Sequence, residues 1–241
     1  MERSFFLRIL FFDMEFADGK VPGSIYSFGY TVTDEEFGIL TPPTDLLINP
    51  ESTWNEYVEK NILAYPKEEV EASPNFAQHY PMLCQLFASC DLAVGFAINN
   101  DLRALRKDCA RYGLPPIAVR SFDTERLCRM LEEHKEAHGL GGYVTAWCGE
   151  EPDHRHRSDG DAYATMRLLR AICEAKHVTP EMLVIAYPEC AGDAKERKPK
   201  AKNHRRRHGG THGKKGGRKG PSKTEEKGSS ASAPTANSRE A

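Results

Sequence analysis

The chain contains 241 residues, of which 39% are hydrophobic and 28% charged, and its formal net charge at pH 7 is −2. This length and apolar content suffice for one hydrophobic core and a tail, so we expect a single folded domain. No apolar run reaches about 18 residues, and the apolar segment Phe5–Phe12 leads into acidic residues instead of a cleavage site of small residues. We therefore expect neither a membrane span nor a signal peptide, and we expect a cytoplasmic protein.

The predicted strands come first in the chain and then alternate with helices. Strands are predicted at Phe5–Glu15, Ile25–Thr33, Asp45–Ile48, Leu92–Phe96 and Val119–Phe122. Helices are predicted at Pro74–Ser89, Asn100–Tyr112, Thr124–His134 and Asp159–Lys176. Three consecutive strands followed by strand–helix alternation indicate an α/β domain in which helices flank a mixed sheet.

Two acidic residues close the first predicted strand. Asp13 and Glu15 follow the apolar residues Ile9–Phe12, and residues two apart on a strand point to the same face. Two carboxylates this close repel each other and raise each other's pKa, so a cation is needed to hold both ionised. The pair therefore indicates a divalent-metal site, and taken alone it also fits a solvated strand end.

A third acid and a histidine stand at the starts of two predicted helices. Asp101 follows the strand Leu92–Phe96 and lies near a helix start, where the helix dipole favours an acid. His156 precedes the helix that carries Asp161 in its first turn, and a histidine near neutral pH suits a general base. Taken singly, Asp101 also fits an ordinary first-turn acid, and His154 and His156 also fit surface polar residues.

Together these clusters resemble the motifs of the DEDDh family of 3′–5′ exonucleases, the DnaQ-like group that includes the proofreading epsilon subunit of bacterial replicative DNA polymerase. The resemblance covers Phe5–Lys176, and its motifs are Phe12–Glu15, Asn99–Leu105 and His156–Ala162. Their order and internal spacing agree with the family pattern, and three motifs in the right order are specific where one alone is not. The resemblance implies a ribonuclease H-like fold, which we assign to residues 1–193.

The resemblance also implies the chemistry of the site. Asp13, Glu15 and Asp161 would hold two divalent cations, and Asp101 would assist. Hard oxygen ligands favour Mg²⁺ or Mn²⁺ over zinc. His156 would accept the proton of the attacking water. The implied reaction releases nucleoside 5′-monophosphates from the 3′ ends of nucleic acid, with DNA as the favoured substrate, in single strands or at frayed ends.

Two positions differ from the pattern of many family members. Phe16 stands where many members have threonine, and Phe96 stands where many have histidine. Each aromatic residue fits a pocket for a base or sugar, and each also fits the hydrophobic core. These two residues and Asn100, which precedes Asp101, are the candidate substrate contacts.

Residues 194–241 differ in composition from the rest of the chain. Residues 195–227 contain 14 Lys or Arg against 3 acidic residues, a net charge of +11, whereas residues 1–194 contain 18 basic and 31 acidic residues, a net charge of −13. The segment has too few apolar side chains to offset the entropy of ordering, so we predict a disordered tail. A tethered polycation fits contacts with nucleic acid, and it also fits a solubility tail or one that folds back on the acidic domain.

Two further functions are compatible with the same motifs. An RNA-directed 3′–5′ exoribonuclease would differ by a contact to the 2′-hydroxyl, which the sequence does not reveal. A regulatory or polymerase-associated binding module with a nuclease fold has no need of all five candidate catalytic residues, so their presence argues against it. A polymerase or another replication or repair protein is a candidate partner.

Overall fold

The computed structural model describes residues 7–21, 23–131, 133–151 and 157–191. The strands in these ranges are β1 (Ile9–Phe16), β2 (Ile25–Thr33), β3 (Ile39–Leu47), β4 (Leu92–Gly95) and β5 (Ser121–Asp123). The helices are α1 (Glu56–Asn61), α2 (Lys67–Ala72), α3 (Phe76–Ala88), α4 (Asn99–Arg111), α5 (Thr124–Leu131), α6 (Gly139–Cys148), α7 (Ser158–Lys176) and α8 (Pro180–Ala186). The strands form a mixed sheet in the order β3-β2-β1-β4-β5.

β1 lies at the centre of the sheet, with helices covering both faces. It pairs antiparallel with β2 and parallel with β4. Ile9 and Phe11 pack in a core cluster with α7, whereas Leu10 and Phe12 pack on the opposite face with α3 and α4. All four residues are fully buried, as the continuous apolar run predicts. The acidic residues that follow them are therefore held at a fixed end of the sheet.

The first turn of α7 lies directly on the sheet at Gly29. In the strand register, Asp13 of β1 pairs with Gly29 of β2, and Gly29 pairs with Asp45 of β3. A Cβ atom at Gly29 would lie 1.9 Å from the carbonyl carbon of Ser158, so only glycine leaves room for the helix. The start of α7 therefore rests on a strand position that an acidic residue flanks on each side.

The predicted α/β class, a mixed sheet with flanking helices, is confirmed. The predicted bounds are wrong in places: β3 begins at Ile39 rather than Asp45, and β5 spans Ser121–Asp123 rather than Val119–Phe122. β3 is an edge strand, and an edge strand tolerates the two prolines, Pro42 and Pro43, that disfavour a strand inside a sheet. The sequence prediction also lacks α1, α2, α6 and α8.

The predicted tail, residues 194–241, lies outside the described residues, and so does the predicted domain end at residue 193. Among the residues that the structure describes, none of the helices combines the length and the apolar character that crossing a bilayer requires.

Candidate active site

Three carboxylates converge where the C-terminal end of β1 meets the first turn of α7. Asp13 and Glu15 lie on the same face of β1, and Asp161 comes from α7. One oxygen of each carboxylate lies within 4.8 Å of an oxygen of each of the other two. All three residues are half-buried, so sheet and helix hold the cluster while it stays open to solvent. The first and third sequence motifs thus meet in space.

Asp101 acts on this cluster through its charge, from a helix that packs against the opposite face of the sheet. It lies in the first turn of α4, and only 5% of the residue is exposed. It is not one of the three residues whose oxygens group together, but after burial its charge is the largest influence that raises the pKa of Asp13. Burial raises the pKa of Asp101 itself well above its usual range, and the charges of Glu15 and Asp123 raise it further.

The pKa values show how strongly the carboxylates oppose one another's ionisation. Burial raises the pKa of Asp13 well above its usual range, and the charges of Asp101, Asp161 and Glu15 add to this effect. Burial, followed by the charges of Asp161 and Asp45, raises the pKa of Glu15 to about 8. Without a counter-charge, the ionised cluster is therefore unfavourable at neutral pH.

The donor set fits hard divalent cations. Among the described residues the cluster of three offers carboxylate oxygens only, the ligands that Mg²⁺ and Mn²⁺ prefer. A cation between Asp13, Glu15 and Asp161 would offset the repulsion that raises their pKa values, because it places positive charge among three acids. The crowding of like charges and the type of donor thus point to the same class of ligand.

A fifth carboxylate, Asp45, lies beside the cluster, and the sequence interpretation missed it. Its charge raises the pKa values of both Asp13 and Glu15. Asp45 accepts hydrogen bonds from the hydroxyls of Ser158 at 2.9 Å and Tyr65 at 2.6 Å. The only available signal was indirect, since an acid on the third strand faces the first two acids only when the register of three strands is known.

His156, the predicted general base, lies outside the described residues, as does His154. The next residue in the chain, Arg157, is the N-cap of α7. Its guanidinium forms an ion pair with Asp159 at 3.1 Å and lies 5.3 Å from the centre of the Tyr65 ring. The role of His156 therefore stays a prediction, attached to a helix start whose side-chain contacts are defined.

The three candidate substrate contacts fall into two groups. Phe16 and Asn100 line a groove of about 350 Å³, together with Asp18, Gly19, Val21, Gly23, Arg103, Ala104 and Lys107. Phe16 directly follows Glu15 and Asn100 directly precedes Asp101, so two of the residues that line the groove are chain neighbours of two of the acids. Phe96 is partly buried against the core, and its ring centre lies 6.1 Å from that of Tyr143.

Comparison with known proteins gives matches by structure and not by sequence. No protein-family model matches the chain, and no curated protein sequence matches it. The nuclease domain of 3′hExo, a DEDDh family member solved with bound rAMP, superposes with a TM-score of 0.57 at 14% identity, over 71% of this chain and 94% of that one. A 3′-exonuclease in a structure describing 3′-end recognition of the histone mRNA stem-loop gives a TM-score of 0.57 at 13% identity, over 71% and 84%.

Escherichia coli Exonuclease I, in complex with a 5cy-dT13 oligonucleotide, superposes with a TM-score of 0.61 at 18% identity. The match covers 76% of this chain and 43% of that one, so this chain corresponds to less than half of Exonuclease I. The predicted ribonuclease H-like architecture is thus confirmed, and the chain has the fold of the DEDDh exonucleases.

Proposed function

We propose that this chain is a metal-dependent 3′–5′ exonuclease that releases nucleoside 5′-monophosphates from nucleic acid. The observation that carries the proposal is the convergence of Asp13, Glu15 and Asp161, from the first and third motifs, at one end of β1. The fold supports it, because the superposable proteins include a DEDDh nuclease domain solved with bound rAMP and an exonuclease solved with an oligonucleotide. A binding module would gain nothing from a carboxylate cluster that opposes its own ionisation.

Asp13, Glu15 and Asp161 would hold the divalent cations, and Asp101 would assist from α4. When bound, two such cations supply orientation of a water for in-line attack and neutralise charge that develops on the phosphate oxygens. His156 would accept a proton from the attacking water, which requires a base that titrates near neutral pH. The remaining charge of the substrate would face the groove that Phe16 and Asn100 line.

This groove fits the nucleotides next to the reacting phosphate. Phe16 and Val21 offer apolar contact to a base or sugar, and Asn100 offers an amide. Arg103 and Lys107 are exposed on α4, one helical turn apart, where they can contact successive phosphates. A single-stranded or frayed 3′ end stays the favoured substrate, as the sequence predicts. The basic residues 195–227 would raise the local concentration of the polyanion.

RNA is the second candidate substrate, with DNA favoured from the sequence. Two of the superposable structures, matched over 94% and 84% of their own length, are one with bound rAMP and one on 3′-end recognition of the histone mRNA stem-loop. An RNA substrate would add a contact to the 2′-hydroxyl. A polymerase or repair partner stays a prediction from the sequence.

The test is a degradation assay on 5′-labelled oligonucleotides of one sequence, as single-stranded DNA, duplex DNA with a frayed 3′ end, and RNA. We expect Mg²⁺- or Mn²⁺-dependent shortening from the 3′ end, with nucleoside 5′-monophosphates as products, and no shortening in EDTA. Asp13→Asn should abolish the reaction, and the control Glu68→Gln, at an exposed position of α2, should not. Equal activity of Asp13→Asn and wild type, or release of 3′-monophosphates, would refute the proposal.

A further inference from the structure

The carboxylate of Asp45 is the centre of a hydrogen-bond network that joins β3 to the first turn of α7. Its Oδ1 atom accepts hydrogen bonds from the hydroxyls of Ser158 at 2.9 Å and Ser27 at 2.5 Å. Its Oδ2 atom accepts one from the hydroxyl of Tyr65 at 2.6 Å. The hydroxyls of Ser27 and Ser158 also contact each other. Residues from β2, β3, α7 and the segment between α1 and α2 thus meet at one carboxylate.

The network occupies the place where α7 has to be fixed to the sheet. Gly29 pairs with Asp45, and its missing side chain leaves the space that Ser158 and Asp159 fill. Close packing at a glycine limits how near the helix comes, but it provides no directional bond. The N-cap of α7, Arg157, makes no capping hydrogen bond with its side chain among the described residues. The hydrogen bond from Ser158 to Asp45 is directional, and it orients the start of α7 relative to the sheet.

A carboxylate at this position has an electrostatic cost. Asp45 adds a negative charge beside a cluster that already contains several, and its charge raises the pKa values of Asp13 and Glu15. Three hydroxyl donors to one carboxylate are charge-assisted bonds, which are shorter and stronger than neutral ones. Three hydrogen-bond donors therefore offset the cost of placing this carboxylate beside like charges, which an acid without a structural role would not require.

We propose that Asp45 is a positioning residue for the carboxylate cluster: by holding Ser158 it fixes the start of α7, and so fixes Asp161 opposite Asp13 and Glu15. Asp161 lies three residues after Ser158, on the same side of the first helical turn. The backbone N–H of Asp161 donates to the carbonyl of Arg157 at 2.9 Å, so a displaced helix start displaces Asp161.

The same network reaches the residue that follows His156. Tyr65, bonded to Asp45, has its ring 5.3 Å from the guanidinium of Arg157, and Arg157 pairs with Asp159. Asp45 therefore acts on the cluster from one side and on the chain segment next to the predicted base from the other. It does so without being one of the three grouped metal-binding candidates.

Three variants separate positioning by hydrogen bonds from an action of charge. Asp45→Ala removes all three acceptors. Asp45→Asn keeps an oxygen for the two serine hydroxyls and places an amide nitrogen toward Tyr65, whose hydroxyl can accept. Ser158→Ala removes the hydroxyl that bonds to Asp45 and contacts Ser27, leaves the bonds of Asp45 to Ser27 and Tyr65, and covers the case in which Asp45→Ala does not fold. Thr44→Val, at the adjacent residue and on the other face of β3, is the matched control.

The first readout is Mn²⁺ affinity, measured by calorimetry on the full chain, which needs no enzymatic activity. We expect Asp45→Ala and Ser158→Ala to weaken Mn²⁺ binding roughly 10- to 100-fold, the usual effect of losing a residue that orients ligands. Asp45→Asn should stay within about threefold of wild type, as should Thr44→Val. Wild-type affinity in both Asp45→Ala and Ser158→Ala would overturn the proposal. So would an Asp45→Asn loss as large as that of Asp45→Ala, because it would make the charge itself the active feature.

The second readout rests on the proposed function: on a short oligonucleotide, Asp45→Ala should lower kcat roughly 10- to 100-fold with little change in KM. The groove of Phe16 and Asn100 is built without Asp45. A raised KM with unchanged kcat would overturn the positioning role. If wild type binds Mn²⁺ with Asp45-dependent affinity but releases no nucleotide, the proposed function fails and the positioning role stands.

Discussion

Glu15→Gln should make the metal-free protein more stable than wild type. The variant should also lose the increase in stability that metal binding gives to wild type. The pKa of Glu15 rises from 4.5 to about 8 on folding, so the folded state keeps a proton that the unfolded state has lost. The contribution of Glu15 to the free energy of unfolding is therefore largest below about pH 4.5, falls as the pH rises, and is smallest above about pH 8. At about 1.36 kcal/mol per pKa unit, the free energy of unfolding is lower than at acidic pH by about 3 kcal/mol at pH 7 and by about 5 kcal/mol above pH 8.

The assay is urea unfolding of wild type and Glu15→Gln between pH 5 and 9, in EDTA and in Mn²⁺. In EDTA the variant should be the more stable protein, by an amount that grows with pH toward about 3 kcal/mol at neutral pH. In Mn²⁺ the order should reverse, because only wild type has the full ligand set and binding stabilises the folded state. Glu68→Gln on α2 serves as the exposed control. Equal stability of wild type and Glu15→Gln in EDTA at all pH values would refute the electrostatic reasoning.

His156→Ala should lower kcat roughly 10²- to 10⁴-fold, with a small effect on the Mn²⁺ affinity measured by calorimetry. Its pH–rate profile should show partial recovery of activity at high pH, where hydroxide replaces the activated water. Unchanged kcat at neutral pH would contradict the role. Asp108, 2% exposed, has its pKa raised by burial from 3.8 to about 6, so its contribution to stability is lost as the pH rises from about 4 to 6. Urea unfolding should show Asp108→Asn gaining up to about 3 kcal/mol relative to wild type between pH 4 and pH 7, and no pH-dependent gain would count against this. Removal of residues 195–241 should weaken binding of long nucleic acid and flatten the dependence of log affinity on log salt, with little effect on kcat for a short oligonucleotide. An unchanged salt slope in a titration by fluorescence anisotropy would exclude the tail as a binding arm.

The elements that carry the motifs could be predicted because their signals are local. β1 has a short continuous apolar run, which is typical of a strand covered on both faces, and α4 and α7 have helical apolar spacing after an acid. α6 could not be predicted, because three of its first four residues are glycine. Its stability comes from packing: Tyr143 and Val144 are buried in the core cluster that contains α7. Such contacts join residues far apart in sequence.

In the candidate site too, residues with a local signal could be predicted and residues that depend on distant contacts could not. Asp13 and Glu15 could be predicted because they lie close together in sequence at the end of a strand. Asp101 and Asp161 could be predicted because they match the family motifs. Asp45 and its partner Ser27 could not be found, because their relation to the site depends on the pairing of three strands. Strand register follows from the hydrophobic pattern and the turn geometry, and the predicted third strand begins six residues too late, at Asp45 instead of Ile39.

The position of the acids at the end of β1 explains how the fold tolerates them without metal. Ile9, Leu10, Phe11 and Phe12 are fully buried, and burial of each such side chain stabilises the protein by ~1.5–3 kcal/mol. The cost at Glu15 is about 3 kcal/mol at pH 7, similar to the gain from one or two of these residues. The burial of these apolar side chains therefore offsets the cost of the acids in the metal-free protein. In small zinc domains, by contrast, metal binding supplies the free energy of folding itself. Here we expect the metal-free protein to keep its secondary structure in EDTA, with the divalent cations binding to carboxylates that the sheet and α7 have already brought together.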